Sequence, residues 1–531
     1  MTTEPSDDGV GPVGGVEGEP RRLEEAGHFR GSTLLVLGKF IGLGLDLATQ
    51  IIIVRALSRT EFGAFAFGLS VASLTATVAL LGLDKTISRF LPLYEEQGDQ
   101  RRLSGALVLA FGVVAGVSAA MLLVLIGLQS RLGAEIVESE LARNLLLILF
   151  LLAPIRAFDS LMTACFAIFG NARAIVLRRN IVAPGLQLLV VLAALVTDQP
   201  PQIVAIGYVA TGALGLAWFA IVLVRVFQRK GIAGRIRRGE FSIPGREVLG
   251  FSLPLLSSDV VFLLRTSAVV ILLQYLATSN EVAAYGAVLP LARQNLIVYQ
   301  SFGFLFVPAA SRLFARGETS RLRNMYWQTS AWIAVASFPA LALSVALALP
   351  VTVLLFGDGY ADAATVLAIL AVGHYVNAAL GFNAVTLRVQ GSVGYIVAVD
   401  VVAAIVSLGG NVLLIPGFGA AGAAAATALT LIVQNALYQA GLARSGIGVP
   451  ERRHLIPFVF VALALGGLVA VQVVLEPPLI LAIGLVGLVA LALVAASRHS
   501  LEIGVYFPEL RRVPVLRALI GHGPERDRHG V

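Results

Sequence analysis

The chain has 531 residues, 57% of them hydrophobic and 13% charged, with a mean hydropathy of +0.86. A water-soluble protein is about 45–50% apolar and about 25% charged, so a string of soluble domains is excluded. The net charge of +7 points, in such a chain, to basic cytoplasmic loops and not to nucleic acid.

Residues 1–28 are polar and rich in Gly, Pro and acid, which predicts a disordered cytoplasmic tail. Apolar segments then follow at 31–54, 63–84, 104–128, 144–166, 174–197 and 203–226. Each is long enough to cross a 30 Å hydrocarbon layer as a helix. A spanning β-barrel would instead show short alternating segments. A basic stretch at 228–247 predicts a cytoplasmic linker. Six further segments lie at 251–276, 283–307, 329–356, 363–387, 393–415 and 420–442. A last pair lies at 455–475 and 479–497, within an extra unit at 446–497, and 498–531 reads as a basic cytoplasmic tail. The expectation is an all-α polytopic membrane protein with about fourteen transmembrane helices.

Loop charges set the expected orientation. With the N-terminus cytoplasmic, 31 of the 39 Lys and Arg residues fall on the inside and 4 outside. Both termini are therefore expected in the cytoplasm of a multi-pass cell-membrane protein. An internal repeat divides the spans. Glu61 and Glu281 are 220 residues apart, each just after the first helix of a half. Gly98-Asp-Gln-Arg-Arg-Leu103 matches Gly317-Glu-Thr-Ser-Arg-Leu322 at an offset of 219, and Gly170 matches Gly391 at 221. Two six-helix lobes are expected, 29–227 and 248–445. Because six is even, the repeat is parallel, with its pseudo-two-fold along the membrane normal. Two such lobes describe a transporter that rocks about a midplane site.

No G-x-x-x-x-G-K-[ST], H-E-x-x-H or G-x-S-x-G is present, and the single cysteine is Cys165. No catalytic group, metal site or cofactor is expected, which argues against an enzyme. A charge at the bilayer centre costs about 2.5–3.5 kcal/mol on insertion scales, so each is a functional candidate. Lys39 and Asp46 are seven residues apart on span one, nearly on one face. Arg265 lies near the middle of span seven and Arg293 near the middle of span eight. These four are the candidate substrate-binding residues, the arginines as bidentate donors to phosphate. Arg156 and Asp159 are spaced i, i+3 on span four, which predicts a mutual pair. Asp259 and Asp400 are expected either to pair with cations on neighbouring helices or to carry a coupling proton. His374 reads as a hydrogen-bonded structural residue. Asn411, Gln434 and Asn435 read as polar glue or cavity lining, and Arg55, Arg59 and Glu61 as an interfacial belt.

Glu61-Phe-Gly63, Leu81-Gly-Leu-Asp84 and Ile87-Ser-Arg89-Phe-Leu-Pro92 resemble the first hairpin of polysaccharide exporters. These are the Wzx-type oligosaccharide flippases of the MATE-like (multidrug/oligosaccharidyl-lipid/polysaccharide) superfamily. Phe356-Gly-Asp-Gly-Tyr360-Ala-Asp-Ala363 is similar to that family's loop before span ten, and Asn411–Ala424 to its hairpin between spans eleven and twelve. The resemblance implies translocation of a polyprenyl-diphosphate-linked oligosaccharide between leaflets for cell-surface polysaccharide assembly. It implies membrane lipids, a polysaccharide polymerase and glycosyltransferases as partners. A cation-coupled MATE-type multidrug exporter and a lipid II flippase are the alternatives, since fourteen spans are also the lipid II flippase count. A non-transporting scaffold is disfavoured by midplane charges in both lobes.

Overall fold

The computed structural model describes residues 41–131, 140–169, 177–197 and 199–501. The expected N-terminal tail, Lys39 and nearly all of the expected C-terminal tail lie outside them. The described chain is helical nearly throughout, with no strand among the described residues. Helix α1 covers residues 41–56. It is followed by α2 (Arg59–Leu80), α3 (Leu83–Glu96), α4 (Gln100–Arg131), α5 (Glu140–Phe150) and α6 (Leu152–Ile168). A π-helical turn, Leu177–Val182, leads into α7 (Ala183–Val196), then α8 (Pro201–Arg229) and α9 (Ile232–Arg237). The second unit holds α10 (Gly245–Leu276), α11 (Ser279–Ala292), α12 (Asn295–Ala315), α13 (Thr319–Val345) and α14 (Ala348–Phe356). It continues with α15 (Ala363–Leu380), α16 (Phe382–Val389) and α17 (Val393–Arg444), and α18 (Arg452–Leu475) and α19 (Leu479–Leu501) close the chain.

Among the described residues ten helical segments are long and apolar enough to cross a membrane, or eleven if the bent pair Asn295–Gly303 and Phe306–Ala315 counts as one span. The expected fourteen are not reached by this count. Of α10 only Ser267–Leu276 enters this count, as a shorter apolar helix, and α1 is described only from residue 41. The 52 residues of α17 are counted once, although Gly419 breaks them at φ 53°, ψ −130°. At about 1.5 Å per residue that length is more than twice a hydrocarbon core, so α17 makes two passes.

The repeat is visible in how helices start. Ser58 caps α2 by accepting from the Glu61 backbone N–H, and Thr278 caps α11 by accepting from that of Glu281. A hydroxyl side chain at this position satisfies an N–H that the first turn leaves open. The two caps lie 220 residues apart. The two glutamates then diverge. Glu61 accepts from the backbone of its own cap, Ser58, at 2.8 Å. Glu281 accepts from Ala420 N at 2.6 Å, capping the half-helix that restarts after Gly419. The first-unit positions matching 420 and 421 are Pro200 and Pro201, which have no N–H to offer.

Helices α2 and α11 form the centre of the molecule. Thr60 Oγ1 donates to Asn280 Oδ1 at 3.1 Å, and a Cβ at Gly286 would sit 3.4 Å from that of Ala66. Both pairs are 220 residues apart. Each contact joins residues at the offset of the sequence repeat, as residues beside a two-fold axis would be joined. The contacts advance six residues on both, so α2 and α11 run parallel, as a parallel repeat requires. Their approach is close: a Cβ on Gly63 would lie 1.9 Å from the Ser279 carbonyl oxygen.

Near this crossing one apolar core serves both units, joining Ile53, Phe62, Phe65 and Leu145 to Val282, Tyr285, Phe338 and Leu370. Farther along the helices it divides. One branch, with Leu83, Phe90, Phe166 and Phe219, belongs to the first unit. The other, with Phe306, Tyr326, Phe382 and Tyr438, belongs to the second. Helix α10 straddles the division: Val248 packs in the first unit's branch, and Val269, Val270 and Leu273 in the shared core.

Candidate functional site

Where the core divides, a cavity of about 700 Å³ lies between the units. Its first-unit walls come from α1, α2, α6, α7 and α8, and its second-unit wall from α11 and the start of α12. Gln50 on α1 donates to the Gly286 carbonyl at 3.2 Å, so this bond lies where the cavity meets the shared core. Asp46, Gln50, Arg156, Gln187 and Tyr208 line it from the first unit, and Arg293 and Gln294 from the second. Each unit thus contributes one guanidinium. Arg156 donates through Nη1 to Ser73 Oγ and, at 3.5 Å, to the Leu69 carbonyl, both on α2. Among the described residues Arg293 forms no ion pair.

A smaller chamber of about 290 Å³ opens off the first-unit wall and shares Asp46, Arg156 and Gln187 with the main cavity. Asp159, Arg178 and Arg179 complete its charged lining. Arg178 is fully engaged: Nη2 lies 2.7 Å from Asp159 Oδ1, Nε donates to the Gly215 carbonyl at 2.9 Å, and the guanidinium covers the Phe219 ring at 4.7 Å. The close fit needs Gly215, where any Cβ would come within 2.8 Å of Arg178 Nη2.

The shared-core end is closed by bonds between the units. Arg55 Nε and Nη2 donate to the carbonyls of Leu355 and Leu354 at 2.8 and 2.5 Å. Arg59 donates to Asp362 Oδ1 and Oδ2 at 3.0 and 2.5 Å and to the Gly359 carbonyl at 2.9 Å. The same guanidinium lies 5.4 Å from the centre of the Tyr360 ring. The Tyr360 hydroxyl is buried without a hydrogen-bond partner among the described residues, and burial pushes its pKa up to about 12. Arg59 reaches the loop Phe356–Ala363, and Arg55 the last turn of α14 just before it.

The expected site residues divide accordingly. Asp46 and Arg293 face one cavity, together with Arg156. Lys39 lies outside the described residues, as does the side chain of Arg265, whose backbone is on α10. Arg156 and Asp159 do not pair with each other. Asp159 takes Arg178, and Arg156 turns to α2, because the two side chains point to different neighbouring helices. Asp259 is not at the cavity but pairs with Lys85, joining α10 to α3. Asp400 accepts from Gln434 Nε2 at 2.6 Å and from the Tyr438 hydroxyl at 2.7 Å, within α17. His374 is buried, yet neither ring nitrogen has a hydrogen-bond partner among the described residues, contrary to the expected hydrogen bond. The polar glue is an amide chain, Asn383 to Asn435 at 3.0 Å and Asn435 to Asn377 at 3.1 Å. Arg55 and Arg59 bridge the units and are more than an interfacial belt.

Arg178 and Arg179 went unnoticed as site residues, since they read as basic residues at the inner end of span five. Their signal was the apolar run enclosing them, Ala174-Ile-Val-Leu177 and Ile181-Val-Ala. Among the described residues no three His, Cys, Asp or Glu side chains gather to hold a metal.

The sequence model of the family described as polysaccharide biosynthesis protein matches residues 29–314, and the chain belongs to that family. No curated protein matches the sequence. The fold is similar to that of the lipid II flippase MurJ in an inward closed conformation, at 11% identity and a TM-score of 0.65, over 90% of this chain and 99% of that one. It is also similar to an inward-facing multidrug resistance MATE family transporter of the MOP superfamily, at 15% identity and a TM-score of 0.63, over 76% and 95% of the two chains. An outward-facing MATE family transporter aligns at 16% identity with a TM-score of 0.52, over 78% and 96%. At such identities the likeness establishes the fold alone, which this chain shares with those transporters.

Proposed function

We propose that this member of the polysaccharide biosynthesis protein family is a flippase. It carries a polyprenyl-diphosphate-linked oligosaccharide across the cytoplasmic membrane by alternating access, for cell-surface polysaccharide assembly. The observation that carries the reading is the cavity between the units, to which each unit contributes one arginine, Arg156 and Arg293. A diphosphate bridging them would be held by both units at once, and charge-assisted bonds from guanidinium to phosphate are strong and bidentate. Lys39 and Arg265 are proposed to extend the same cationic surface. An exporter of cationic drugs fits less well, because a cation in the cavity would meet two guanidinium groups, one from each unit, against the single carboxylate of Asp46.

In this reading the six-helix units are 29–227 and 248–445, both termini are cytoplasmic, and the face closed by Arg55 and Arg59 is the outer one. The substrate would arrive from glycosyltransferases and leave to a polymerase. The test is transport in proteoliposomes, followed by the appearance of a labelled polyprenyl-diphosphate oligosaccharide in the opposite leaflet. Arg293→Ala should slow it by at least about tenfold, the size of one lost charged hydrogen bond, and Arg293→Lys should recover part. Normal transport by Arg293→Ala in a well-folded protein would overturn the reading.

A further inference from the structure

The side chamber in the first unit has no counterpart in the diphosphate argument. We infer that it seats the sugar nearest the diphosphate, and that this sugar is neutral, bearing hydroxyl and amide groups and no carboxylate. The inference rests on the flippase reading and deepens it. At about 290 Å³ the chamber is at the lower end of ligand pockets, with room for one sugar ring and not for a glycan chain. It joins the main cavity along Asp46, Arg156 and Gln187. A group attached to a phosphate on Arg156 therefore has the chamber directly beside it. Its lining sets charged side chains beside Leu152, Ile155 and Pro184, which suits the hydroxyl edge and apolar face of a sugar ring.

The charges decide what kind of sugar. Arg178 and Asp159 neutralise each other at 2.7 Å. Asp46 and Arg179 line the chamber with no hydrogen bond or ion pair among the described residues. With Arg156 and Arg293 matched to the two phosphate charges, the remaining four charged side chains sum to zero. A uronic acid would add an unmatched negative charge beside Asp46, and like charges at contact distance are costly in a partly desolvated site. A neutral sugar offers hydroxyl donors to the Asp46 carboxylate. Its hydroxyl or N-acetyl oxygens accept from Arg179, and Gln187 can serve either group. Asp46 is then a specificity residue: it accepts hydroxyls and rejects carboxylates.

The experiment compares three probes in proteoliposomes: polyprenyl diphosphate carrying one N-acetylhexosamine, the same lipid carrying one uronic acid, and the lipid with no sugar. The wild-type protein should move the N-acetylhexosamine lipid at least about tenfold faster than the uronic acid lipid, as a site with built-in repulsion discriminates. Asp46→Asn removes the negative charge and keeps the shape, and should bring the two rates within about twofold. Arg179→Gln, a change at an exposed residue, should slow the N-acetylhexosamine lipid and leave the sugar-free lipid as in wild type. Equal wild-type rates for the two sugars, or an unchanged preference in Asp46→Asn, would overturn the inference while leaving the flippase reading intact. If the wild type moves none of the three, both fall.

Discussion

The two ends of the interface between the units are built differently. At one end α2 and α11 touch through Gly63, Ala66 and Gly286, and a single apolar core spans both units. At the other, each unit keeps its own core, and charged walls face a cavity. Small residues let helices approach closely where no hydrophobic drive favours their association in lipid. The polar ties across the closed end are side-chain bonds to backbone carbonyls, the Thr60–Asn280 bond and one part-exposed ion pair. Such bonds are individually weak, as the proposed closing and reopening of that end would need. Ties at the divided end fall on α10: Lys85 pairs with Asp259, Tyr94 donates to Glu247 at 3.1 Å, and Ser252 donates to the Leu81 carbonyl. The first half of α10 therefore belongs mechanically to the first unit and its last turns to the shared core, which makes it the connecting strap between them.

The comparison breaks most completely at Gly63. Gly63→Ala places a Cβ 1.9 Å from backbone at Ser279, where no flexible side chain can yield, at a cost of about 1–3 kcal/mol for overpacking. Transport should fall sharply, and a cysteine introduced in place of Gln50 should become reactive to an impermeant thiol reagent from the closed face. The native Cys165 is buried and leaves the background low. Gly112→Ala, where no atom lies within 4 Å, should change neither quantity.

A smaller effect is expected from the ion pair of the latch. The Arg59 and Asp362 side chains are 25% and 56% exposed, so the pair contributes at most about 1 kcal/mol. Asp362→Arg should raise reactivity of the same cysteine from the closed face several-fold, by setting two guanidinium groups together. Adding Arg59→Asp should restore the pair and the closed state. A double variant as reactive as the single one would show that the Arg59–Asp362 charge pair is not what holds the latch.

The smallest effect is the pH response of Tyr360. Its folded pKa, about 12, exceeds the ordinary 10.0 because the hydroxyl is buried. The folded state therefore favours the protonated ring. That stabilisation is fully present below pH 10 and is lost as pH rises through 12. Latch opening should rise in the same window, and the late phenolate absorbance of Tyr360→Phe should be smaller than that of the wild type by one tyrosine.

Much of this protein was legible in its sequence. Apolar segments of spanning length identify a helical membrane protein because lipid leaves the backbone no other way to satisfy its hydrogen bonds. The 220-residue offset of Glu61 and Glu281, with the loop motifs around them, pointed to a repeated transporter and to the polysaccharide exporter family. Asp46 and Arg293 were legible as cavity candidates because a midplane charge needs a partner or water. Helical spacing did not supply their partners. It suggested Arg156 with Asp159, whereas Asp159 binds Arg178 on another helix. It could not send Arg59 across the interface to Asp362, 303 residues away, or take Asp259 to Lys85. A sequence period defines which side chains share a face of one helix. The rotation of that helix against its neighbours is set by packing, by glycines such as Gly63 and Gly215, and by which buried charges can reach one another. Sequence alone determined the class and the charged positions, and the tertiary packing decided which charges were neutralised and which were left facing the cavity.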